Sequence, residues 1–123
     1  MSPLLVLAVA FGGGAGAAGR FLLDGLINTG RQFRLPVGTL TINITGSLLL
    51  GIIVGAVTHL GAVPVAVLGT GVMGGYTTFS TASFETVRLA RSGRINAAAL
   101  NGLGMLVVSV AAAIAGILLG GAL

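Results

Sequence analysis

Cysteine is absent from the 123 residues, which excludes disulfides, thiolate nucleophiles and cysteine-based metal sites and leaves the redox compartment unmarked. Tryptophan is absent as well and Tyr76 is the single tyrosine, so the chain has no aromatic belt and its arginines must mark the membrane interfaces. Asp24 and Glu85 are the only acids, too few and too far apart in sequence for an acid–base pair, so enzymatic chemistry has little to work with. Lysine is missing, and six arginines spread along the chain are too sparse for a nucleic-acid footprint. What remains is apolar: hydrophobic residues make up 55% of the chain against 7% charged, with a mean hydropathy of +1.12. That exceeds what a soluble domain of this length can bury, and the chain reads as an integral membrane protein.

A membrane crossing needs about 20 residues at about 1.5 Å each. Four runs qualify, over 4–27, 36–60, 63–89 and 95–118, joined by short connectors rich in turn residues or charge. The expected fold is all-α, a single four-helix membrane domain over 1–123 in the plasma or inner membrane. The first run is not read as a cleaved signal peptide, because no Lys or Arg precedes its apolar core and apolar character resumes at Phe21-Leu22-Leu23.

Several motif matches carry no chemistry. G69-T-G-V-M-G74 fits a dinucleotide fingerprint but lacks the preceding strand and the following acid, and Asn43-Ile44-Thr45 fits a glycosylation acceptor inside an apolar run. His59 has no ligand partner and reads as an interfacial residue. Small residues one turn apart in G12-G-G-A-G16, G51-I-I-V-G55 and G116-I-L-L-G120 allow close helix contact, within the chain or with a second subunit. Thr39, Asn43 and Ser47, at i, i+4 and i+8, form a polar stripe on the second helix; Asn101 and Ser109 share a face of the fourth with Met105 and Ala113. Hydroxyls of this kind serve as interhelical glue, whereas the Asn43 amide has two donors to satisfy at membrane depth and points to function.

The stretch G71-V-M-G-G-Y-T-T-F-S-T81 falls near the middle of the third run. Paired glycines weaken a helix there, and freed carbonyls and amides must be buried in protein or face a polar cavity or an ion, as in the discontinuous helices of transport proteins. The third helix is therefore expected to break near 74–78, and Gly74→Val is expected to disrupt assembly more than Gly55→Val.

These residues, with G38-T-L-T-I-N43, G12-G-G-A-G-A-A-G-R20 and Glu85, resemble the CrcB/Fluc family of fluoride channels over essentially the whole chain. The resemblance implies passive, fluoride-selective conduction out of the cytoplasm, which relieves fluoride toxicity. It also implies an antiparallel, dual-topology dimer with a structural sodium ion at its centre. Matching position by position puts the sodium-binding backbone carbonyls on Gly74 and Thr77 and the fluoride pathway on Asn43, Phe79, Thr81 and Ser109. The vestibule arginine falls on Arg20, which reads equally as an interfacial anchor paired with Asp24. The family's second pore phenylalanine is Ala82 here, and Met105 and Ala113 stand where members often carry polar groups.

A small multidrug exporter has a similar plan but needs a carboxylate inside its first helix, whose middle here is Gly12 to Gly16. A non-transporting accessory subunit would explain the depleted positions but not the retained break. Charge bears on the partner. Four crossings place both termini and the 59–62 loop on one side, whereas Arg20, Arg31, Arg34, Arg88, Arg91 and Arg94 all fall at or near the other. By the positive-inside rule the chain inserts with both termini outside, and its partner in opposite orientation is then a paralogue rather than a second copy.

Overall fold

A computed structural model describes residues 2–30 and 35–123; Arg31 and Arg34 of the topology argument lie outside the described residues. Among the described residues four helical spans are long and apolar enough to cross a membrane: Pro3–Asn28, Val37–Gly55, Ala62–Arg91 and Ile95–Ala122. The chain is a multi-pass membrane protein.

Local chemistry sets the ends of these spans. Ser2 caps the first, its hydroxyl accepting from the Leu5 amide at 3.2 Å, with Pro3 in the first turn, where its missing N–H costs nothing. Gly30, Gly61 and Gly93 take the three connectors through positive φ, at 66°, 87° and 85°, a region that side chains resist. A short helical turn, Val57–Leu60, lies between the second and third spans.

The spans pack in two pairs, the second against the fourth and the first against the N-terminal half of the third. Glycine makes both pairings possible. A Cβ on Gly51 or Gly55 would run into the Ala113 or Ile117 carbonyl, and one on Gly116 or Gly120 into the Leu48 or Ile52 carbonyl. In the other pair, a Cβ on Gly16 would strike the Val72 carbonyl and one on Gly75 the Gly13 carbonyl. The glycine faces read from spacing are thus used within the chain, and Gly71 and Gly75, one turn apart, supply a further one. Gly14 and Gly19 face open space.

Large apolar side chains are turned outward, with Phe11 79% and Phe21 79% exposed, while among the described residues the buried apolar ones are only Ile42, Ala56, Ala98 and Met105. This inversion fits a lipid solvent, which is as apolar as leucine and gives helices no hydrophobic reason to associate; backbone approach and polar contacts do so instead. The glycines also separate packing within the chain from assembly with a partner. A Cβ at Gly74 meets nothing nearer than Gly69 O at 3.9 Å, whereas Gly55 is closely packed, so within the chain Gly55 is the less tolerant of the two.

The third span is irregular over much of its length. Residues Ala66–Met73 form a π-helical stretch, Gly74–Tyr76 return to α, and Thr77 and Thr78 leave the helix before Phe79–Arg91 resumes it. A second π-helical stretch, Leu100–Gly104, interrupts the fourth span. Such inserted turns in long helices are frequent at functional sites.

Candidate functional site

At the break, Thr77 has φ −82° and ψ 159° and Thr78 has φ −147° and ψ 122°, two extended residues inside an otherwise helical span. The upstream helix ends with the Thr77 amide donating to Met73 O at 3.0 Å, and the Thr77 hydroxyl donates to the same carbonyl at 2.9 Å. Backbone polar groups released at membrane depth need partners. Asn43, thirty-five positions earlier, supplies two of them: its Nδ2 donates to Thr78 O at 2.8 Å, and the Thr78 amide donates to Asn43 Oδ1 at 2.8 Å. A side-chain amide thereby pairs with a peptide unit as a neighbouring strand would.

Thr78 then starts the next helix. Its hydroxyl accepts from the Thr81 amide at 3.1 Å, the capping bond expected of a threonine in this position. The two redirected amides have a common consequence. In an unbroken helix Thr78 N–H would serve the Gly74 carbonyl and Thr81 N–H the Thr77 carbonyl. Both carbonyls lose those helical donors and keep lone pairs available for another partner. Gly46 lets the break sit against the second span, since any Cβ there would collide with the Thr77 methyl group and touch the Tyr76 ring.

The polar stripe of the second span divides its work. Thr39 donates to Glu85 at 2.6 Å, Asn43 holds Thr78, and Ser47 lines a cavity of about 500 Å³ between the second span, the C-terminal half of the third and the fourth. Asn43, Phe79, Ala82, Met105 and Ser109 line it as well. Phe79 is 88% exposed and Ser109 keeps a buried hydroxyl with no hydrogen-bond partner among the described residues. Thr81 is exposed beside Thr78, whose hydroxyl lies 3.2 Å from its own, and it does not line the cavity. Arg20 is half-buried on the first span, away from this lining, and Asp24 takes a hydrogen bond from Asn28 at 3.1 Å while lying against Gly38.

Further polar residues meet the cavity without having been singled out as site residues. Ser83 and Thr86 follow Phe79 at i+4 and i+7, a helical signal present in the sequence. Thr86 donates to Ala82 O at 2.8 Å and so must accept at its oxygen from Asn101 Nδ2, also 2.8 Å away. That order fixes the Asn101 amide: its Oδ1 is the free end, buried and without a partner among the described residues.

A family model described as CrcB-like protein, Camphor Resistance (CrcB), matches residues 7–117. The chain is 49% identical over 123 residues to a protein of Leifsonia xyli subsp. xyli named fluoride-specific ion channel FluC 1, covering 98% of this chain and 90% of the relative. It is 48% identical over 120 residues to fluoride-specific ion channel FluC 2 of Cutibacterium acnes, covering 95% and 98% respectively. A protein of the same name from Natronomonas pharaonis is 42% identical over the full length of both chains. These relatives are ion channels and not enzymes. With a family model spanning nearly all of its length and relatives this similar end to end, the chain belongs to the CrcB/FluC family.

Proposed function

We propose that this protein is a fluoride-selective channel that lets fluoride leave the cytoplasm down its gradient and so relieves fluoride toxicity. It works as one four-helix membrane domain paired with a second subunit in opposite orientation. The observation that carries this reading is the Asn43–Thr78 clamp, which opens a membrane helix at mid-depth beside a largely apolar cavity into which Ser47, Ser83, Thr86 and Ser109 bring hydroxyls. A plain packing helix has no use for such an opening.

Fluoride is small, strongly hydrated and a strong hydrogen-bond acceptor, so it must exchange water for donors. Asn43 and the Ser109 hydroxyl provide them from the cavity wall, Thr81 provides another from an exposed position on the third span, and the electropositive ring edge of Phe79 offers a contact weak enough to release the ion. Arg20 raises the local anion concentration near one mouth. Ala82 leaves this wall without a second ring.

A sodium ion fits the break. The Gly74 and Thr77 carbonyls have lost their helical donors, and carbonyl oxygens suit a hard cation; two from each of two facing breaks would hold it. Bound there, the ion supplies fixed positive charge that holds two broken helices together. The partner that best fits the one-sided arginines is a paralogue, making this chain one fixed-orientation half of a heterodimer. A multidrug-exporter reading finds no carboxylate at the middle of the first span, where Gly12 and Gly16 are packed on the third.

Purified protein in liposomes loaded with both fluoride and chloride is expected to release fluoride and retain chloride. The assay is run with the chain alone and with any co-encoded relative. Equal release of the two anions in both arms refutes the proposal.

A further inference from the structure

Asn43 Nδ2 carries two hydrogens. One is committed to Thr78 O at 2.8 Å, and the other is directed at the Met105 sulfur at 3.2 Å. These contacts differ in kind. The first holds the helix open, while the second ends on a thioether, among the weakest acceptors a protein offers. Met105 is 6% exposed and lines the same cavity as Phe79 and Ser109. A methionine side chain is unbranched and turns about three bonds, and this one has about 500 Å³ beside it into which to turn.

We propose that Met105 is a displaceable latch on the Asn43 donor, and hence a residue that sets fluoride affinity. Its sulfur satisfies the second N–H while no ion is present, so the amide is not left unpaired at membrane depth. An entering fluoride, a far stronger acceptor, takes that hydrogen and the sulfur swings into the cavity; when the ion leaves, the sulfur returns. A weak resident acceptor suits this task on two counts. It competes too little to exclude the ion, yet it shields the donor enough that the ion is not trapped. Read this way, Met105 is a working neutral group and not merely a lost polar one. The inference rests on the fluoride-channel reading of the same cavity.

The test compares two variants of similar size with opposite chemistry. Met105→Leu removes the acceptor and leaves the N–H bare, so fluoride should reach half-maximal flux at a concentration about fivefold lower, with a reduced maximal rate, as expected when the ion no longer has to displace a resident hydrogen bond. Met105→Gln can present an amide oxygen, a strong resident acceptor, and should raise that concentration by about fivefold or more. Fluoride titration of the Asn43 side-chain amide signals in lipid nanodiscs reads binding without transport and should show the same opposite shifts. Two variants that shift affinity in the same direction, or lose only folded protein while affinity stays fixed, overturn the latch and leave the channel standing. A wild-type protein that neither binds nor carries fluoride, alone or with a co-encoded relative, overturns the channel reading and the latch with it.

Discussion

Replacing Asn43 with leucine keeps the branched outline of the side chain, with two methyl groups in place of the amide oxygen and nitrogen, and deletes both bonds to the Thr78 peptide, each 2.8 Å long. The Thr78 N–H and C=O are then left at membrane depth without their partner. An unsatisfied buried group costs about 1–3 kcal/mol, so two cost roughly 2–6 kcal/mol. Thr78 is only half-buried, and polar contacts between membrane helices run weaker than this because the unfolded reference also finds partners, so the lower half of that range is expected. Thr45→Val serves as the control. Thr45 is exposed, and the change removes a 3.0 Å contact with the Tyr76 hydroxyl together with a local bond to its own helix, for about 0.5 kcal/mol. Reversible unfolding in mixed micelles measures both variants, and hydrogen exchange at the Thr78 amide localises the effect. A loss of about 2 kcal/mol corresponds to roughly thirtyfold more frequent opening. If Asn43→Leu costs no more than Thr45→Val and the Thr78 amide stays protected, the clamp is not what holds the third span open.

Three further predictions concern packing, assembly and topology. Gly55→Val and Gly116→Ala should each destabilise the chain by roughly 1–3 kcal/mol or more through backbone collision, while Gly14→Ala, in open space, should stay within about 1 kcal/mol; unfolding in micelles decides. Gly74→Val should leave the second and fourth spans packed yet abolish assembly with a partner, read as loss of the dimer on a sizing column. Because the chain has no native cysteine, single Ser2→Cys and Leu123→Cys variants report orientation cleanly, and both should be labelled from the outside only. Labelling from both sides, with full fluoride transport by the chain alone, would show that a homodimer suffices.

Composition alone determined that this chain lives in a membrane, because 55% hydrophobic residues with 7% charge leave no other place for it. The number of crossings and the site of the break were legible for local reasons: span length is set by bilayer thickness, and Gly74-Gly75 followed by Thr77-Thr78 weakens a helix wherever it occurs. The stripe Thr39-Asn43-Ser47 was visible as a face, but spacing does not say what a face meets. Only the tertiary structure joined Asn43 to Thr78, Thr39 to Glu85 and Asn101 to Thr86. It also paired Gly51 and Gly55 with the fourth span rather than with another subunit, and it turned Met105 toward an amide that spacing could not bring to it. The π-helical stretches at Ala66–Met73 and Leu100–Gly104 carry no local signal that periodicity can detect. The physical reason is common to all of these. Each is a contact between segments far apart in sequence, or a response to one, and a hydrogen bond across helices depends on rotation and depth that a single helix leaves free.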